Sequence, residues 1–164
     1  MPGTLGVTDW RHMARAIELA LAAEQDGNLP VGAVLAAGRR RVAEGRNAIW
    51  RPRFDATRHA EIETLRAVPR AVWTRARRLT LYTTLEPCLM CLGTILLHPI
   101  DRVVFGSADG FGGAGGMREH LPPFFRRQFT ALDWVGPVLP VECDPLHQRL
   151  LEIETAGARR PGPR

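Results

Sequence analysis

The stretch Leu79-Thr80-Leu81-Tyr82-Thr83-Thr84-Leu85-Glu86-Pro87-Cys88-Leu89-Met90-Cys91 decides the fold. Its first five residues, Leu79 to Thr83, form a short apolar run of the kind that makes a strand buried on both faces. Pro87 then stands where a helix best tolerates proline, at its first turn. The helix it opens holds Cys88, Cys91, Ile95 and Leu96 and stops near Pro99.

The same alternation continues in both directions. Upstream, Thr8 is a candidate cap for a helix with Met13, Ile17 and Leu21 at helical spacing, ended by Gly27 and Pro30. Val31 to Ala37 reads as a strand, Gly38 as a turn, and Arg41 to Asn47 as the hairpin partner. Trp50 to Asp55 is a loop, and Thr57 is the expected cap of a helix running from His59 to Leu65. Downstream, Arg102 to Gly106 is a further strand and Gly110 to Gly116 a flexible glycine-rich loop. Pro122 to Phe129 carries three phenylalanines, Trp134 to Val141 is expected to be a last strand, and Pro145 to Glu154 a last helix. Strands alternating with helices favour a layered α/β sheet. The 164 residues suit one domain, 1–164, with residues 1–6 and 157–164 expected to be disordered ends.

Composition narrows the function classes. The net charge is +5 and the sequence pI about 10.3, compatible with a nucleic-acid partner. All 22 basic residues are arginine, so a lysine Schiff base and a phosphate-loop lysine are both excluded. No apolar run reaches the ~20 residues of a membrane span. Met1 to Trp10 shows no secretory pattern, and the expected location is cytoplasmic. Cys88, Cys91 and Cys143 are too few, and odd in number, for a disulfide framework.

Cys88 and Cys91 lie three positions apart at a helix start, so both sulfurs share one face, and the electropositive helix end favours thiolate. With the imidazole of His59 they make a three-ligand zinc site whose fourth position stays open for water. Glu61, two residues after His59, can accept a proton from water activated by the metal and pass it on to a leaving amine. His-x-Glu followed by Pro-Cys-x-x-Cys is the signature of zinc nucleobase deaminases. A redox dithiol would leave His59 and Glu61 unexplained. A structural zinc site would need a fourth ligand, with His98, His120, Cys143 and His147 as candidates.

These residues, together with Pro30-Val31-Gly32-Ala33-Val34, Gly45-Arg46-Asn47, His59-Ala60-Glu61-Ile62 and Arg102-Val103-Val104-Phe105-Gly106, resemble the cytidine deaminase superfamily. The likeness is greatest to its bacterial tRNA adenosine deaminase (TadA-type) branch, over roughly residues 10 to 116. The resemblance implies a three-layer α/β/α fold around a five-stranded mixed sheet, one Zn2+ per chain and a homodimer. It implies that Asn47 binds the base, and that the amide of Ala60 and the carbonyls near Leu85 and Glu86 hold the base edge and the leaving amine. Asp109 matches a substrate position of that branch. The run Ser107-Ala108-Asp109-Gly110-Phe111 lacks two basic positions usual there, and the last helix is acidic rather than basic. The matching segments make adenosine in tRNA the expected substrate. These departures suit the alternative, a free base or nucleoside (guanine, cytosine or adenosine) covered by Phe124, Phe125 or Phe129. The first expectation for that phenylalanine cluster is core or dimer interface, and a base-stacking platform the second. A zinc-stabilised binding module without catalysis would leave Glu61 without a purpose.

Overall fold

The computed structural model describes residues 5–156. The chain runs α1 (Val7–Gln25), β1 (Gly32–Ala37), β2 (Arg40–Arg46), α2 (Ala60–Arg66), α3 (Arg70–Arg75), β3 (Leu79–Leu85), α4 (Leu89–Leu96), β4 (Arg102–Ser107), a 3-10 turn (Gly115–His120), α5 (Pro123–Ala131), β5 (Asp133–Val135) and α6 (Pro140–Thr155). The five strands form one sheet in the order β2-β1-β3-β4-β5. β1 is antiparallel to β2 and β3, whereas β3, β4 and β5 are parallel, so the sheet is mixed as expected.

Alternation along the strands sorts the side chains into two cores. Ala33 and Leu35 of β1, Leu81 of β3, and Val103 and Phe105 of β4 face the layer made by α2, α3, α4 and α5. Val34, Ala36, Tyr82 and Val104 face Met13, Ala16 and Leu19 of α1 and Cys143 of α6. The register fixes this sorting: Val34 pairs with Tyr82 and Leu35 with Leu81, while Leu81 pairs with Val103 and Tyr82 with Val104. Two glycines permit the close approach of helices. A Cβ on Gly32 would strike the carbonyl of Ala16, and one on Gly106 would strike the sulfur of Cys143.

Several boundaries differ from expectation. The cap of α1 is Gly6, whose N–H is accepted by Asp9 at 3.1 Å, so Thr8 lies inside the first turn. Leu5 packs against the α1–α6 core, while the other terminal residues expected to be disordered, 1–4 and 157–164, lie outside the described residues. Thr57 does not cap α2. Asp55 accepts both its N–H and its hydroxyl, and His59 takes the cap position. The expected last strand is reduced to Asp133–Val135, and α6 begins at Pro140 and runs through Pro145. Residues 136–139 instead follow the edge of β4 without regular pairing, with the N–H of Val138 donating to Phe105 and that of Leu139 to Gly106. Among the described residues, no helix is long and apolar enough to cross a membrane.

Candidate active site

The site lies at the carboxyl ends of the parallel strands β3 and β4, where open α/β sheets place their ligands. Two helix starts converge there. His59 is the cap of α2 and Cys88 the cap of α4, one residue before the helix rather than just inside it. Cys91 follows in the first turn of α4 and is fully buried. The donor atoms of His59, Cys88 and Cys91 all lie within 4.8 Å of one another.

The donor set fits zinc. Cys88 Sγ lies 3.7 Å from His59 Nδ1. Ordinary Zn–S and Zn–N bonds at a tetrahedral angle put such atoms about 3.6 Å apart. The hydrogen bond from the Cys91 thiol, the contact with His59 and the Cys91 backbone N–H lower the Cys88 thiol to about 4, against its burial. Cys91 is pushed upward by its bond to Cys88, by burial and by the charge of Glu61. A divalent cation binding both sulfurs as thiolates displaces the thiol proton. Burial works to lower the His59 imidazole, but the hydrogen bond to Cys88 and the charges of Glu61, Cys88 and Glu154 outweigh it and hold it above its usual value. None of His98, His120, Cys143 and His147 joins the cluster, so no fourth protein donor closes the site among the described residues. His98 instead bonds the carbonyl of Thr94 and packs on Trp73.

Glu61 stands beside the donors at the start of α2 and is 3% exposed. Its Oε1 accepts the hydroxyl of Thr83 at 3.0 Å, and its Oε2 lies 3.5 Å from the Cys91 sulfur. Burial raises its pKa above the usual carboxylate range despite the Thr83 bond and the neighbouring imidazole. A carboxyl whose pKa is raised by burial beside a metal site is a candidate for proton transfer.

A cavity of about 140 Å3 opens from these groups. Asn47, Ala60, Leu85, Glu86 and Asp109 all line it, so the structure brings together every residue expected from the sequence to meet the substrate. Asn47 is buried, and its Oδ1 accepts the N–H of Ile49 at 3.2 Å, which turns its amide donors free. The Glu86 side chain has a different task. Its Oε2 accepts the N–H of Asp109 at 3.1 Å and its Oε1 the N–H of Gly115 at 2.9 Å, so it clamps the glycine-rich loop. Asp109 accepts the N–H groups of Phe111 and Gly112, forming a turn.

None of Phe124, Phe125 and Phe129 lines the cavity, so they do not cover a bound base, and the expectation that the cluster serves the core holds for two of them. Phe129 is fully buried against Trp134, and Phe125 packs on the same core. Leu150 and Glu154 of α6 line the cavity instead. Sequence reasoning missed both, as it missed Thr83. Thr83 could have been found from strand alternation, which puts it on the face of Leu81. The α6 residues carry no local signal, because only the path of the chain across β4 brings them there.

A sheet of this order, with metal donors at two helix starts and a buried carboxylate beside them, is the ground plan of a zinc-dependent hydrolase acting on the exocyclic amine of a nucleobase. The chain belongs to the cytidine and deoxycytidylate deaminase family, whose zinc-binding region matches residues 7–107. The tRNA-specific adenosine deaminase of Haemophilus influenzae is 42% identical over 82% of this chain and 78% of its own. That of Bacillus subtilis is 36% identical over 82% of this chain and 83% of its own. A solved structure from studies of A-to-I editing by tRNA:A34 deaminases at the wobble position of transfer RNA covers 84% of this chain and 99% of that one. It matches with a TM-score of 0.68 at 30% identity.

Proposed function

We propose that this enzyme converts adenosine to inosine in tRNA. The observation that carries the reading is the cavity. At about 140 Å3, with His59, Ala60 and Glu61 among its lining, it takes one base and no more of a polynucleotide. A target in RNA must therefore be flipped out of its stack to reach it. Relatives that share 36–42% identity and carry the name tRNA-specific adenosine deaminase support the choice of base and polymer.

His59, Cys88 and Cys91 would hold the zinc, which supplies Lewis-acid activation of water when bound. Glu61 takes one proton from the attacking water and delivers it to a ring nitrogen, then takes the second from the hydroxyl newly bonded to the ring carbon and gives it to the amine, which leaves as ammonia. Thr83 holds its carboxylate in place for both transfers. Asn47 presents amide donors to an acceptor on the base. The first N–H of α2, at Ala60, and the carbonyls near Leu85 and Glu86 bind the base edge and the amine. Asp109 orders the loop that forms one wall.

The exposed side chains of Leu89 and Met90 on α4, and of Leu97 just after it, support a homodimer. A tRNA substrate places the work in the cytoplasm.

One observation favours a second reading. Glu154 stands exposed on the cavity's lining, where a carboxylate repels a phosphodiester and favours an uncharged nucleoside or free base. The test is ammonia release from tRNA and from free nucleosides side by side, with sequencing of the tRNA for inosine. Inosine in tRNA is expected. Turnover of free nucleosides with every tRNA untouched overturns the tRNA reading and establishes the second.

A further inference from the structure

The sheet carries a second polar cavity at the end away from the catalytic pocket. It has a volume of about 220 Å3 and is lined by Thr8, Arg11, His12, Arg39 and Arg41, with no carboxylate among them. The first turns of α1 and the β1–β2 turn build it. The catalytic pocket lies at the opposite end of β1, a strand of six residues, or about 17 Å at ordinary strand rise.

The cavity is already formed. His12 is 5% exposed, and its Nε2 donates to the carbonyl of Gly38 at 3.0 Å, which ties the hairpin turn to α1. Gly38 has a φ of +57°, the left-handed conformation that glycine adopts without steric cost, and this turn sets Arg39 beside Arg11. Behind them the His12 ring packs 5.0 Å from Tyr82. The Tyr82 hydroxyl donates to Asp9 at 2.7 Å, and Arg102 donates to the same oxygen at 2.8 Å. The acid closest in sequence is thus committed elsewhere.

The charges of the cavity are poorly balanced. Arg41 pairs with Glu44 at 3.1 Å, but Glu44 is already held by Arg15 at 2.6 Å. Arg11 and Arg39 have no ion-pair partner among the described residues. Like charges converging on one concavity repel unless an anion enters it. Guanidinium forks match the oxygens of a phosphate, and Thr8 adds a hydroxyl donor at the positive end of a 19-residue helix.

We propose that this cavity binds a phosphate group, at a site separate from the catalytic pocket. The group is a phosphodiester of a bound RNA or a free phosphate, and the two sources are separable. The enzyme and the variants R11A/R39A and R11K/R39K are melted in inorganic phosphate and in chloride at equal ionic strength. Zinc content and the midpoint in chloride show that each variant is folded. Phosphate should raise the midpoint of the native enzyme by about 3 °C, the rise being lost in the alanine variant and partly kept in the lysine one. KM and kcat for tRNA are then compared. A KM raised about tenfold with kcat unchanged, and a salt dependence shallower by about two counterions, assigns the site to the RNA backbone. An unchanged KM beside a lost phosphate effect assigns it to free phosphate. Equal midpoints in phosphate and chloride for the native enzyme, with unaltered tRNA kinetics in the alanine variant, overturn the proposal. The melting experiment needs no turnover, so its failure is distinct from failure of the tRNA reading.

Discussion

Glu86 and Asp109 are joined by a hydrogen bond in which the carboxylate of the first accepts the backbone N–H of the second at 3.1 Å. The other oxygen of Glu86 takes Gly115, and a Cβ at Gly113 or Gly115 would come within about 2.6 Å of that carboxylate. The loop is glycine-rich because it wraps a half-buried acceptor, and two hydrogen bonds to that carboxylate tie it down. Glu86→Ala should cost about 1–3 kcal/mol in stability and free the loop, because two N–H groups lose a charged acceptor. Glu86→Gln, which keeps one acceptor oxygen, should cost less. Thermal melts with hydrogen exchange over 109–116 check this; unchanged protection in the alanine variant would contradict the clamp.

Glu61→Gln should leave the fold and the zinc content intact while lowering kcat/KM by roughly 10²–10⁴, the usual contribution of a general acid–base group. The amide keeps an acceptor for Thr83 but cannot carry a proton between water and substrate. Ammonia release and metal analysis on the same preparation decide it. Retained turnover would remove Glu61 from the chemistry.

Zinc should copurify at one ion per chain and be lost from His59→Ala and Cys88→Ala. Stripping it with a chelator should abolish turnover and lower the melting temperature, because the two helix starts then lose their common anchor. Re-addition of zinc should restore both. A stripped enzyme with full activity would refute the metal assignment.

Acid should destabilise the fold through α1. Burial acts to raise Asp9, but the bonds from Tyr82, Gly6 and Arg102 prevail and hold it below its ordinary 3.8. The Arg15 hydrogen bond is the leading cause that holds Glu44 below its ordinary 4.5. A carboxyl depressed by folding stabilises fully above its unfolded pKa, and that stability is lost as pH falls through the folded value. The contributions of Asp9 and Glu44 should therefore be constant above about pH 5 and be lost below about pH 4, with a shallower acid-side fall in Asp9→Asn. Denaturant melts across that range measure the slope.

Gly106→Ala should destabilise by about 1–3 kcal/mol, since the new methyl meets the Cys143 sulfur. Cys143→Ala should return part of that cost in the double variant. Additive effects of the two substitutions in a mutant cycle would show that they do not touch.

The chain's own letters marked β1, β3 and the helix after Pro87, because the apolar runs at Val31 and Leu79 and the proline at 87 act within a few residues of themselves; α5 carried no such mark and β5 was overrun. The same letters pointed to the zinc donors and to Glu61 because the pairs His59 with Glu61 and Cys88 with Cys91 each lie within one helix turn, whereas the meeting of the two pairs belongs to the tertiary structure. The helix starts were legible only to within a residue or two. His59 and Cys88 take the cap positions, one residue before each helix, which brings both donors to the converging helix starts.

What lies far apart along the chain was decided by packing. In the sequence the phenylalanines of α5 could serve the core or cover a substrate; packing decides it, and Phe129 fills the core because α5 crosses beside α4 and β5. Leu150 and Glu154 reach the pocket because α6 begins at Pro140 and passes along β4, over a sulfur that only Gly106 leaves room for. Local preference is written in neighbouring residues, whereas the wall of a pocket is set by which distant surfaces the sheet order brings together.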